Sequence, residues 1–121
     1  MLKGILKVIS PELVKTLCEM GHGDEIVIAD GNFPAETFGK RVIRADGIGG
    51  AEMLKAVLSL IPLDTYSDPN MILMSLMACD EGKINPVIWE EYETIGLAFV
   101  ITNYLKGFFS ALFPDFSIDV R

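Results

Sequence analysis

Glu25-Ile26-Val27-Ile28-Ala29-Asp30 is the clearest mark of the fold in the sequence. Its middle is continuously apolar rather than alternating, the pattern of a central strand buried on both faces. Upstream, Ser10-Pro11-Glu12 has the form of a helix start. The serine hydroxyl can accept from an orphan amide, proline fits the first helical position, and glutamate suits the dipole. Leu13, Leu17 and Met20 then recur at helical spacing, with Val14 and Cys18 alongside, until Gly21 ends the helix.

Downstream, Gly31-Asn32-Phe33-Pro34 reads as a loop and Arg41-Val42-Ile43-Arg44-Ala45-Asp46 as a second short strand. Residues 51–61 show helical spacing through Met53, Leu54, Val57, Leu58 and Ile61, and Pro62 stops them. Residues 71–79 are expected to form a third apolar strand. Asn85-Pro86 restarts a helix through Trp89 and Tyr92. Ala98-Phe99-Val100-Ile101 is a further strand candidate, and residues 106–116 a short helix broken at Pro114. Helices alternating with buried strands predict an α/β fold, a three-layer sandwich whose central, mostly buried sheet is flanked by helices. Residues 1–121 suit a single domain, with an atypical aromatic stretch from about residue 94 onward. Phe108, Phe109, Phe113 and Phe116 in that stretch are expected to form an oligomer or partner surface.

Composition narrows the chemistry. Ten Lys and Arg face 17 Asp and Glu, a net charge of −7, which argues against a nucleic-acid partner. A single histidine excludes a His-rich zinc site, and Cys18 and Cys79 lack CxxC spacing, so no metal is expected. The two cysteines read as small buried hydrophobes in a reducing compartment. The most apolar stretches, 71–79 and 95–105, are shorter than the about 20 residues needed to cross a bilayer. The amino-terminal residues lack the form of a signal peptide, so a cytoplasmic location and no membrane partner are expected.

The richest segment for chemistry is Gly21-His22-Gly23-Asp24, leading into the first strand. Glycines on both sides leave the imidazole of His22 unscreened. A histidine here can donate and accept protons within one cycle, and Asp24 or Asp30 would favour its charged form if either approached it. Asp30 ends an apolar strand, where open α/β sheets place ligands. The plainer alternatives are a capping or solvent-facing histidine and a turn-forming aspartate. Gly47-Ile48-Gly49-Gly50 lacks the Walker lysine and reads as a flexible connection. Arg41 and Arg44 read as members of surface ion pairs. Asp64 and Tyr66 flank a turn, where sugar hydrogen bonding is the weaker alternative. Trp89-Glu90-Glu91-Tyr92 reads as part of a half-buried amphipathic helix.

Ile9-Ser10-Pro11-Glu12-Leu13, Glu19-Met20-Gly21-His22-Gly23-Asp24-Glu25-Ile26, Ile28-Ala29-Asp30 and Asn32-Phe33-Pro34-Ala35-Glu36 together resemble the D-ribose pyranase / L-fucose mutarotase family. Val42-Ile43-Arg44-Ala45-Asp46-Gly47, Pro62-Leu63-Asp64-Thr65-Tyr66 and the Trp89-Glu90-Glu91-Tyr92 neighbourhood extend the resemblance. Asn32-Phe33-Pro34-Ala35 and Arg44-Ala45-Asp46 favour its fucose branch over its ribose branch. The resemblance implies an α/β fold, a homo-oligomer, and interconversion of the α and β anomers of a free monosaccharide, fucose or similar, without cofactor or metal. It implies His22 as proton donor and Asp30 as a sugar contact. From about Thr94 the chain departs from the family's pattern, as a truncated, frameshifted or diverged C-terminus would. The alternatives are a non-catalytic sugar-binding or interaction protein of the same fold, and a D-ribose pyranase.

Overall fold

The computed structural model describes residues 2–64, 66 and 69–99, together with the backbone of 117–120. Helix α1 spans Pro11–Glu19 and begins as expected: the Leu13 amide donates to Ser10 Oγ at 3.1 Å, and proline stands in the first turn. Leu13, Thr16 and Leu17 form its buried stripe. Strand β1 is Val27–Asp30, the short helix α2 Ala35–Phe38, strand β2 Val42–Ala45 and helix α3 Gly50–Leu58. Helix α4 spans Ile88–Phe99 and strand β3 Ser117–Val120.

The three strands are parallel in the order β1-β3-β2. Val27 and Val42 both pair with Ser117, and the register runs on to Asp30 and Ala45 opposite Val120. Parallel strands need crossovers, which the helices between β2 and β3 supply. The described core is a cluster of Ile9, Leu13 and Leu17 with Ile43 and Ala45 of β2 and Met53, Ala56 and Val57 of α3. Burial alternates along β2, with Ile43 and Ala45 inside and Arg44 outside, as a period-two side-chain pattern requires. Helix α3 packs against both β1 and α4.

Arg41, just ahead of β2, ties that strand to α1. One guanidinium nitrogen donates to Glu19 Oε2 at 2.7 Å and to Thr16 Oγ1 at 3.3 Å. The last turn of α1 carries no basic residue of its own, so this cation from elsewhere serves its negative end.

Several expectations need correction. Strand β1 is an edge among the described strands, and its apolar residues are half-buried rather than enclosed. An apolar run identifies a strand but does not say which neighbours cover it. Residues 71–79 form no strand beyond an isolated bridge at Leu73, and Met74 and Met77 are exposed. That run is apolar through Met, Leu and Ala, with Ile72 its single β-branched residue, so it lacks the side chains that favour a pleated surface. Ala98 and Phe99 belong to α4 rather than to a strand. Trp89, Tyr92, Ile95, Gly96 and Phe99 are sheltered at helical spacing, which carries the helix through them. Cys18 and Cys79 are free and exposed, on an outer position of α1 and in a turn, not buried. Strand β3 was not expected; Ser117-Ile118-Asp119-Val120 is a polar–apolar alternation too short to announce itself. The expected helix at 106–116 and the aromatic surface of Phe108, Phe109, Phe113 and Phe116 lie outside the described residues.

Candidate functional site

His22 stands on the connection between α1 and β1. The loop closes on itself: the Gly21 amide donates to Asp24 Oδ2 at 2.7 Å, and the Asp24 amide donates to the Gly21 carbonyl at 3.2 Å. Gly23 takes φ +87°, a left-handed conformation that strains any residue with a β-carbon. The loop is therefore tight, and the imidazole projects outward with its side chain 74% exposed.

The neighbour of His22 is Asp64. Its Oδ2 lies 3.3 Å from His22 Nδ1, and its side chain is 26% exposed. Asp64 Oδ1 accepts the Tyr66 amide at 2.8 Å, so one carboxylate closes the turn after α3 and faces the imidazole. The Tyr66 ring meets the imidazole edge-on, with centroids 6.1 Å apart and planes at 82°. Asp24 and Asp30 are engaged elsewhere, Asp24 with the Gly21 amide and Asp30 with the Asn32 amide at 2.8 Å. The turn reading of Asp64 was correct but incomplete. Its partnership with His22 comes from the return of the chain after α3, which no local spacing announces.

Asp30 closes β1 at its carboxyl end and is exposed. Among the described residues, no hydrogen bond or ion pair joins it to His22. Its charge is felt by Tyr92 of α4. Burial pushes the Tyr92 phenol above its usual 10.0, and the nearby carboxylates of Glu91 and Asp30 push it further. The phenol thus stays protonated at neutral pH. Tyr92 was expected only as part of an amphipathic helix, and it is half-buried in one. Its hydroxyl reaches the first residue of α3, where a β-carbon on Gly50 would stand 2.5 Å from it. Gly47-Ile48-Gly49 is a connection, with Gly50 already the first residue of α3 and Gly49 capping it through no side chain.

Arg44 and Asp46 pair with each other at 2.8 Å on the rim of a separate shallow cleft of about 220 Å³, floored by Leu13 and Met53. Arg41 and Arg44 are thus both engaged in ion pairs, as expected. Among the described residues no group of three or more His, Cys, Asp or Glu side chains converges as a metal site would need. No described helix is long and apolar enough to cross a membrane.

Comparison with known proteins gives these groups a context. The model of the RbsD / FucU transport protein family matches residues 3–102. Human fucose mutarotase is 48% identical over 98 residues, covering 78% of this chain and 64% of that protein. L-fucose mutarotase of Haemophilus influenzae is 52% identical over 92 residues, covering 76% of this chain and 62% of that protein. The chain thus spans under two thirds of the length of these relatives. The crystal structure of the Streptococcus pneumoniae fucose mutarotase in complex with L-fucose superposes with a TM-score of 0.80 at 34% identity. That match covers 98% of this chain and 88% of the pneumococcal one.

Proposed function

The chain belongs to the RbsD / FucU transport protein family, and from that premise we propose that it is a mutarotase interconverting the α and β anomers of a free monosaccharide, L-fucose or a close relative. The observation that carries this reading is the solvent-facing imidazole of His22, held out by a glycine-flanked loop and backed by a carboxylate. Mutarotation opens a hemiacetal. The anomeric hydroxyl gives up a proton and the ring oxygen gains one; the ring C–O bond breaks and a carbonyl forms. After rotation about the adjacent C–C bond, the hydroxyl attacks the other carbonyl face and the protons return. No redox step or group transfer is involved, so one histidine and hydrogen-bonding partners for the sugar meet the requirement. His22 serves as acid and base. Asp30, exposed at the carboxyl end of β1, binds sugar hydroxyls. The exposed carboxylate accepts such bonds with the strength of a charged partner.

The same reading includes a three-layer arrangement around the sheet, a cytoplasmic location and a homo-oligomer. Free, exposed Cys18 and Cys79 suit a reducing compartment. Exposed Met74, Met77, Val87 and Leu97 offer apolar surface of the kind that subunits cover. Saturation-transfer NMR on L-fucose anomers tests the activity, with D-ribose as the comparison sugar. Exchange above the buffer rate, lost in His22→Ala, is the expected result. Exchange no faster than buffer in the unaltered protein overturns the proposal, and faster exchange of ribose moves it to the pyranase branch.

A further inference from the structure

From the setting of Tyr66 we infer that its ring is the platform on which the apolar face of the sugar stacks while the anomeric carbon meets His22. The inference rests on the reading of His22 as the acid–base group, and it adds the residue that prefers one sugar over another. Tyr66 is 91% exposed, more than any other large apolar side chain among the described residues. A phenol left so open keeps water on a face that an apolar partner would cover. Its backbone is nevertheless held, because the Tyr66 amide donates to Asp64 Oδ1 at 2.8 Å. A closed turn therefore presents the ring.

The neighbour of the ring says what that partner is. The imidazole of His22 has its centroid 6.1 Å away and its plane at 82° to the phenol. Two exposed rings set nearly at right angles form a corner, with one polar wall and one apolar wall. A pyranose matches both walls. Its anomeric hydroxyl and ring oxygen lie on one edge, where the imidazole can exchange protons. Its C–H bonds, polarised by the oxygens beside them, carry partial positive charge, and an aromatic face carries partial negative charge. L-Fucopyranose turns several neighbouring C–H bonds to a single face and adds a methyl group at its rim. D-Ribopyranose has no carbon outside its ring, so it lays less apolar surface on the phenol. Tyr66 thereby favours a deoxyhexose over a pentose. A mutarotase must also hold both anomers, and a stacked face away from the anomeric carbon serves the two alike.

The test compares Tyr66→Ala and Tyr66→Phe with the unaltered chain, reading anomer exchange of L-fucose and D-ribose by NMR. The side chain is open to solvent and the amide that bonds Asp64 is retained, so both variants are expected to fold. Tyr66→Ala should raise KM for L-fucose by about tenfold with kcat little changed, as loss of an aromatic contact does. A buried methyl is worth about fourfold in affinity, so the preference for L-fucose over D-ribose should shrink by about that factor. Tyr66→Phe keeps the face and should stay within about twofold of the unaltered KM. Saturation of the aromatic protons should reach the fucose methyl in the unaltered protein and in Tyr66→Phe, and should be lost in Tyr66→Ala. KM and saturation transfer that Tyr66→Ala leaves unchanged overturn the inference and leave the mutarotase reading standing. A loss in Tyr66→Phe as large as in Tyr66→Ala makes the hydroxyl the contact and overturns it too. A changed mass of the assembly in Tyr66→Ala, with KM unmoved, assigns the ring to a second copy of the chain and likewise overturns it. Saturation transfer that depends on Tyr66 in a protein exchanging no anomers upholds the platform and sinks the enzymatic reading instead.

Discussion

The hydroxyl of Tyr92 in α4 lies over Gly50, the first residue of α3, so closely that a β-carbon there would stand 2.5 Å from the oxygen and 3.4 Å from the ring carbon bearing it. The two helices pack together at this contact, and the charge of Asp30 reaches the same phenol. Gly50→Ala should therefore cost stability, because the tyrosine must swing away from a half-buried seat. Overpacking of this kind costs about 1–3 kcal/mol, offset in part by up to about 1 kcal/mol from replacing a helical glycine. Tyr92→Phe removes the atom that clashes. Denaturant unfolding of both single variants and the double variant should give a favourable coupling of about 1 kcal/mol. Strict additivity would show that the two residues do not meet in solution.

Tyr92 also makes a prediction at high pH. Its folded-state ionisation lies above the unfolded value of 10.0, through burial first and the charges of Glu91 and Asp30 second. The resulting stability is complete below pH 10 and is lost as pH rises through the folded value, because the unfolded chain releases that proton first. Absorbance titration of the tyrosinates should show one phenol ionising late. Tyr92→Phe should remove that phase, and Asp30→Asn should move it toward lower pH. A titration that Tyr92→Phe leaves unchanged in shape would contradict the assignment.

Local chemistry made much of this legible beforehand. Ser10 and Pro11 mark the start of α1 in the sequence, and the Leu13 amide finds the serine oxygen. The apolar run before Asp30 marks β1, and the spacing of Met53 and Val57 marks the buried face of α3. The glycines around His22 foretold an outward imidazole, and the structure has one. What was not legible depends on the return of the chain from a distance. The partner of His22 is Asp64, which only the course of α3 carries back to the loop before β1. The middle strand is β3, whose place between β1 and β2 follows from pairing and not from its four residues. Residues 71–79 misled because an apolar run records hydrophobicity, whereas a strand also needs a neighbour to bond.

The Arg41–Glu19 pair governs a window at low pH. The hydrogen bond from Arg41 holds the Glu19 carboxyl below its usual 4.5, with Lys15 assisting and desolvation opposing. A carboxylate lowered in the folded state adds stability that is present above pH 4.5 and lost as pH falls through the folded value. Glu19→Gln should flatten the stability profile in that window and leave the slope elsewhere unaltered. The pair is open to solvent, so the effect should be small and should shrink further in molar salt. A profile that Glu19→Gln leaves just as steep below pH 4.5 would assign the acid sensitivity to other carboxylates.

Asp30 separates turn formation from sugar binding. Its Oδ1 accepts the Asn32 amide at 2.8 Å, a role that an asparagine carbonyl can take over. Asp30→Asn should therefore fold and melt almost as the unaltered chain does. A hydrogen bond to a charged acceptor is worth about 1.5–3 kcal/mol, so loss of the charge should weaken sugar binding by about 10- to 100-fold. Exchange rates measured by NMR across a range of L-fucose concentrations should show that loss in KM. Unaltered KM with unaltered stability would remove Asp30 from the sugar site and leave it as the residue that turns the chain out of β1.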